Sequence, residues 1–473
     1  MNWPAFAIGL LPEHLLLAGV LLLIVHALVA RSGQGAAAIA LLTVGAAALA
    51  ALWLALTGFE GEPFIGQVSV SRSTSLGKVV VLSLAWPVLL LARDDLGDGG
   101  PFYPLLVSSL YGLALMLSSD SFLTLFLGLE LMSLPVYVLV LLGLKRQTSP
   151  EAALKYLVLG GAATATLLMG ISLLYGHAGM LALVAFPEAL ARSATATAAA
   201  GGGAALAGVV LVLLAFFLKA AIVPFHAWAP DAYEGASLPV TAYMAAIVKA
   251  GVLLAALRLF GASSVPGVLV GLVAVLPLAS IAWGNLAAMR QPNLRRMMAY
   301  SSIAHAGYLF LAFLGDAAGR FTAVWFYLLA YGLMTMLAFS ALPAHGDDSR
   351  RDRIDELQGL FHRQPFAAIV IGLAMLSLAG IPPLPGFIAK FLIFREVMAA
   401  GHTLVAVLGL VGSYLGIYFY LRVIQAMFMG APAALSGTQG AATLRTPALV
   451  ASVLCLLPAI VVAVAPGWIF RVL

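Results

Sequence analysis

Runs of about 20 apolar residues follow one another along the whole chain, each long enough to cross roughly 30 Å of hydrocarbon at about 1.5 Å per residue. LLLAGVLLLIVHALV (15–29) and LTLFLGLELMSLPVYVLVLLGL (123–144) are two of them. With 63% hydrophobic and only 9% charged residues, against about 25% charged in an ordinary globular domain, the chain reads as an all-α integral membrane protein. Little sequence is left over for a soluble domain. The net charge of +5 sits mainly in short loops, where membrane topology accounts for it better than nucleic acid does, so no nucleic-acid partner is expected. Cys455 is the single cysteine, so cysteines of this chain alone cannot build a disulfide, an iron–sulfur cluster or a zinc site. The start, MNWPAFAIGLLPEHLLL, lacks the basic and cleavage regions of a signal peptide and is expected to open the first span.

The runs divide into about 14 spans, near 9–30, 36–57, 77–93, 100–118, 121–144, 153–175, 204–225, 238–260, 265–288, 298–315, 321–343, 366–397, 403–429 and 446–469. An even number puts both termini on one side. Loops after odd-numbered spans carry twelve lysines and arginines, those after even-numbered spans, Lys78 and the C-terminus included, carry seven. The positive-inside rule then places both termini outside. The stretches ATATAAAGGGAALAG (194–208) and APAALSGTQGAAT (431–443) read as flexible connectors, and HGDDSRRDRIDELQGLFHR (345–363) as a polar inner loop.

Two spans contain prolines beside a lysine: LKAAIVPFHAWAP around Pro224, and LSLAGIPPLPGFIAKFLIF around Pro382 and Pro383. A proline inside a helix removes a backbone hydrogen bond and clashes with the preceding turn. In hydrocarbon such a break persists only where protein or a wet cavity covers it. Paired broken helices in two halves of a chain point to inverted repeats with a site near the midplane. The spacing fits two inverted five-helix repeats, spans 4–8 and 9–13, each with one broken helix. The expected divisions are 1–98, 99–262, 263–430 and 431–473.

A charge at the bilayer centre costs about 2.5–3.5 kcal/mol or more, yet Glu130, Lys155, Lys219, Lys249 and Lys390 all lie within spans. Lys155, near the start of its span, can snorkel to the interface. Lys249 has about ten apolar residues on either side, roughly 15 Å each way, too far for that. A Glu130–Lys219 ion pair would offset part of two desolvation penalties, but apolar replacements of buried pairs are often neutral or stabilising, so bulk stability is a poor reason to keep it. Proton exchange is a better one, because desolvated lysines come within reach of titration near neutral pH. His226 follows the first break, and His305 lies in AYSSIAHAGYLFLAF near Ser301, Ser302 and Tyr308; imidazole exchanges protons in the physiological range. No Walker A, GxGxxG, HExxH or EF-hand pattern occurs, so no cofactor or metal site is expected in the chain.

Five strings then carry a resemblance: GLELMSLPVYVLV (128–140), EAALKYLVLGG (151–161), KAAIVPFHAWAPDAYEGASLPVTAYMAAIVKAG (219–251), GNLAAMRQPNLRRMMAYSSIAHAGYL (284–309) and AGIPPLPGFIAKFLIF (379–394). They resemble the antiporter-like membrane subunits of proton-pumping NADH–quinone oxidoreductase, respiratory complex I, and PDAYEGASLPVTAY favours the subunit N branch. The resemblance implies that Glu130 partners Lys219, that Lys249 is the central connecting lysine, and that Lys390 communicates with the other side. It implies that Lys155, His226 and His305 affect the path. NADH, FMN, iron–sulfur clusters and quinone would reside in partner subunits, among them neighbouring antiporter-like subunits of the membrane arm. A multisubunit cation/proton antiporter subunit and a membrane-bound hydrogenase subunit are the alternatives. The alanine-, glycine- and arginine-rich usage suggests a bacterial inner membrane.

Overall fold

The computed structural model describes residues 3–30, 34–98, 100–143, 148–184, 186–187, 202–261, 265–343, 352–429 and 446–472. The connector stretches at 194–201 and 431–443, and residues 345–351 of the charged segment, lie outside the described residues. The chain is a multi-pass helical membrane protein. Among the described residues eleven helices are long and apolar enough to cross a membrane, and three shorter apolar helices accompany them.

Helices α1 (Trp3–Gly9), α2 (Leu11–Val29), α3 (Ala36–Thr57) and α4 (Arg72–Leu96) come first, followed by α5 (Phe102–Leu117), α6 (Phe122–Leu141) and α7 (Ser149–Ala178). The broken helix α8 (Gly202–Lys219) and α9 (Trp228–Gly235) leads to α10, the continuous span Leu238–Phe260. Then come α11 (Gly267–Ala288), α12 (Leu294–Leu311), α13 (Ala317–Ser340), the second broken helix α14 (Pro365–Ala379) and α15 (Pro385–Ala399), α16 (Thr403–Met429), α17 (Thr446–Val464) and α18 (Pro466–Val472).

Polar residues placed at the helix starts set the boundaries. Ser121 accepts from the Thr124 N–H, Asn293 from the Arg296 N–H and Asp316 from the Gly319 N–H, each satisfying one backbone donor that a helix start leaves free. Ser71 and Thr74 form a reciprocal capping box at the start of α4.

Burial is greatest along the middle of the chain. The hydrophobic window of α10 is 100% buried and that of α12 94%, against 28% in α2 and 33% in α7. α10 and α12 are therefore the inner wall of the molecule, and α2, α7, α16 and α17 its lipid- or partner-facing rim. α5 and α6 cross with their backbones almost touching: a β-carbon on Gly112 would meet the Met132 nitrogen at 2.4 Å, and one on Gly128 the Met116 nitrogen at 2.7 Å. Small residues of this kind let membrane helices approach closely. Gly128→Val is expected to destabilise the protein by about 1–3 kcal/mol through overpacking and to push Glu130 out of register. The loss of subunit resistance to graded detergent denaturation measures it; an unchanged midpoint refutes the close crossing.

Two details depart from the sequence reading. The fold is all-α as expected, with one addition the sequence reading did not foresee, a short antiparallel hairpin, β1 (Gly61–Phe64) with β2 (Val68–Val70). Gly66 turns at φ 67°, a left-handed conformation glycine adopts without cost, and Val68 and Val70 both point inward. The hairpin is held to the α5–α6 connection by Ser69 N–H to Ser118 O, 2.9 Å, and Asp120 N–H to Gln67 O, 2.8 Å. Lys78, counted above as a loop residue, lies inside α4 and is completely buried against Glu13 of α2, Nζ to Oε1 2.6 Å. A countercharge in a neighbouring helix removes the need to reach the interface.

Candidate functional site

Both breaks are completed by polar groups from elsewhere in the fold. At the first, α8 stops at Lys219 and Ala221 takes φ 60°, a left-handed conformation costing a non-glycine residue about 1–2 kcal/mol. The freed Val223 N–H donates to Ser280 Oγ of α11 at 2.8 Å, and Trp228 Nε1 donates to the Leu218 carbonyl at 3.1 Å. At the second, Gly380 ends α14 at φ 87°, and Lys390 Nζ reaches back from α15 to the Leu378 and Ala379 carbonyls at 2.9 and 3.0 Å. An ammonium is well placed at a helix C-terminus, where unsatisfied carbonyls concentrate negative partial charge.

Lys219, the last residue of α8, points to one face of α6. Its Nζ is 3.3 Å from each of Glu130 Oε1, Ser133 Oγ and Tyr137 Oη. Those residues recur at three- and four-residue spacing and so share a helix face. Thr164 of α7 donates a short hydrogen bond to Glu130 Oε1. The ammonium thus has three oxygen partners in a largely buried setting, a geometry in which a proton can be held against a carboxylate and two hydroxyls. Among the described residues no group of three or more His, Cys, Asp or Glu side chains gathers as metal ligands would.

The second lysine follows a wide turn. Met244–Val248 is π-helical, one residue fuller per turn than an α-helix and common at functional sites. Lys249 comes directly after it, 6% exposed, and donates to both the carbonyl and the hydroxyl of Ser302. Tyr233 Oη is 3.2 Å from the same hydroxyl, and the Tyr331 ring lies 5.6 Å from the ammonium. One turn along α12, His305 Nδ1 is 2.7 Å from Tyr327 Oη and Nε2 is 3.1 Å from Tyr420 Oη. Tyr420 closes on to Ser301. Tyr308, a turn further, carries Lys390 5.2 Å from its ring centre, and Lys390 also donates to Ser413 Oγ at 3.0 Å. One face of α12 therefore carries Ser302, His305 and Tyr308, with Lys249 set against the first and Lys390 against the last. Beside Lys219 the packing is aromatic: Tyr137 packs edge-on against Tyr156 at 4.6 Å, and Tyr156 stacks on Trp228 at 4.4 Å.

A family profile described as "NADH:quinone oxidoreductase/Mrp antiporter, TM" matches residues 119–416, which include Glu130, Lys155, Lys219, His226, Lys249, His305 and Lys390. NADH-quinone oxidoreductase subunit N of Pelobacter propionicus is 39% identical over 423 residues, covering 89% of this chain and 88% of the relative. The chain belongs to the NADH-quinone oxidoreductase subunit N family. Subunit N of Geobacter metallireducens is 37% identical, with 80% of each protein covered. A chain of respiratory complex I from Thermus thermophilus with bound aureothin superposes with a TM-score of 0.81 at 33% identity, over 96% of this chain and 97% of that one. The Mrp complex from Dietzia sp. DQ12-45-1b shares the fold at TM-score 0.83 and 21% identity, over 98% and 96%.

In this member of the subunit N family, the residues singled out from sequence do not all meet. Glu130 and Lys219 touch, and Lys249, His305 and Lys390 gather along α12. His226 is only partly buried, and its ring stands 6.1 Å from Trp283. Lys155 is 43% exposed and pairs with Glu151 at 2.6 Å and Asp231 at 2.7 Å; Asp231 in turn holds Arg296 at 2.6 Å. Lys155 thus joins an ionic cluster beside the first break rather than the buried line. Sequence reading missed Tyr233, Tyr327, Tyr331 and Tyr420, since a tyrosine in an apolar span looks like ordinary core until its hydroxyl acquires a partner.

Proposed function

We propose that this chain translocates protons across a bacterial inner membrane as a membrane-arm subunit of NADH–quinone oxidoreductase. The observation that carries this reading is the succession of buried ammonium groups, each set against hydroxyl, imidazole or carboxylate partners: Lys219 with Glu130, Lys249 with Ser302, and Lys390 with Ser413. Charges are kept inside membrane proteins chiefly where they serve ion or proton movement, and lysines, hydroxyls and imidazole can each pass a proton to the next.

On this reading Glu130 modulates Lys219, Lys249 passes the proton along α12 past His305, and Lys390 hands it on at the second break. His226 and Lys155 flank the first break, where the ionic cluster of Lys155, Asp231 and Arg296 meets the aqueous side. NADH, FMN, iron–sulfur clusters and quinone belong to partner subunits, and quinone reduction there drives the protonation changes. The architecture in this reading has about 14 spans, with five-helix repeats of opposite orientation at 99–262 and 263–430, each broken at its fourth helix, between an N-terminal unit (1–98) and a C-terminal one (431–473). Both termini face the periplasm. Setting aside the fully buried Lys78, Arg295 and Arg320 leaves eleven basic residues against five, in line with that orientation.

The test is Lys249→Ala in the complete complex, reconstituted in vesicles. A dye reporting internal acidification is expected to show proton pumping driven by NADH cut to a small fraction of wild type, with all subunits still assembled. Wild-type pumping by the assembled variant, or purification of the chain free of any flavin and iron–sulfur subunits, overturns the reading.

A further inference from the structure

A second acid–ammonium pair lies outside the line of residues described above. Glu13 of α2 and Lys78 of α4 are 2% and 0% exposed and touch at 2.6 Å. Apart from this contact, neither Glu13 oxygen nor Lys78 Nζ has a hydrogen-bond partner among the described residues. Tyr111 of α5 is near enough to feel the Glu13 charge, which places the pair against the first helix of the neighbouring unit. Buried pairs are poor stabilisers, since apolar replacements are often neutral or better. An ionisable group inside a membrane is a functional candidate by default.

The surroundings supply a way to water. Above the start of α4 opens a cleft of about 260 Å³, lined by Glu60, Ser71, Arg72, Ser73 and Trp325 among others. Ser71, Ser75 and Lys78 recur at four- and three-residue spacing, so they form one stripe running down α4 from the cleft rim to the pair. Ser75 is fully buried, and its hydroxyl has no hydrogen-bond partner among the described residues. Trp325, in the cleft wall, packs where a β-carbon of Gly77 would stand, 3.4 Å away. The cleft wall therefore reaches the residue next to Lys78.

We infer that Glu13 and Lys78 form an additional proton-loading site, filled from the cleft through the Ser71–Ser75 stripe. In loading, a hydronium ion gives its proton to a Glu13 oxygen: an O–H bond forms on the carboxyl, water is released, and the pair passes from neutral overall to a single positive charge. Unloading reverses the step. The adjacent ammonium repels a metal cation, so the proton is the ion this site accepts. The inference rests on the reading of the chain as a proton-translocating subunit and adds to it a site removed from Glu130, Lys219, Lys249 and Lys390.

The experiment compares protons pumped per NADH oxidised in reconstituted complex carrying Glu13→Gln together with Lys78→Met, a combination that leaves no uncompensated charge. A loss of pumped protons per NADH in the assembled complex is expected; a wild-type ratio overturns the inference. Should the double variant not assemble, Glu13→Asp, which keeps the charge but shortens the reach to Lys78, decides between the same two outcomes. If Lys249→Ala stops pumping while both Glu13 variants pump as wild type, only this inference fails. If Lys249→Ala pumps normally, the broader reading fails with it.

Discussion

Lys219→Ala is expected to stop almost all NADH-driven proton pumping and to slow the coupled quinone reductase, with the complex still assembled. The drop is expected to be roughly 100-fold, the lower end of what a positioned proton-transfer group commonly contributes. The reasoning is geometric. Lys219 is the only ammonium among the described contacts of Glu130, and it ends α8 just where the helix breaks. Alanine leaves the break intact, since Val223 and Trp228 find their partners in Ser280 and Leu218 without it. Glu130→Ala acts on the same pair from the other side and leaves Lys219 with Ser133 and Tyr137 alone, so it is expected to weaken pumping less than Lys219→Ala does. Acidification of vesicles, read beside a native gel that checks assembly, is the measurement. An assembled Lys219→Ala complex pumping at the wild-type rate would falsify the assignment.

Asp352→Ala is expected to cost about 3–5 kcal/mol, the usual penalty for breaking a buried ion pair from one side. Asp352 and Arg295 are both fully buried and directly paired. Arg295 also donates to the Ala236 carbonyl at the end of α9, and Leu294 N–H and Ile354 N–H tie the start of α12 to the 352–354 segment. The pair therefore fastens the charged stretch, α12 and the end of the first broken helix together. Replacing both partners, Arg295→Leu with Asp352→Leu, is expected to recover most of the loss, because no buried charge then lacks a counterion. Detergent or thermal denaturation of the purified complex reads both; equal stability of Asp352→Ala and wild type refutes the strut.

Much of the site was legible along the chain. Glu130, Lys219, Lys249 and Lys390 stand out because each interrupts an apolar run where a charge is expensive, and Pro224, Pro382 and Pro383 mark the breaks because proline cannot continue a helix. Their local chemistry suffices to flag them. The β-hairpin was not legible in the same way: Val68 and Val70 alternate over only three residues, too few to stand out between two long apolar helices. Lys78 looked like a loop residue because it falls close to the start of its span, and nothing in α4 reveals that Glu13 lies opposite. Lys155, near the start of its span, could be read as able to reach the interface, but nothing local shows that Asp231 and Glu151 hold it at the surface.

By itself, then, the sequence determined that this chain lives in a membrane, where two of its helices break and that Glu130, Lys219, Lys249 and Lys390 are charges set in apolar runs. Those follow from properties each segment has alone: apolar length, proline sterics and the desolvation cost of a single charge. The tertiary structure alone decided which charges meet. Glu130 lies 89 residues from Lys219, Ser302 lies 53 from Lys249, and Glu13 reaches Lys78 across an intervening helix. Electrostatic and hydrogen-bond energies depend steeply on distance, and distances between segments exist only once the helices pack.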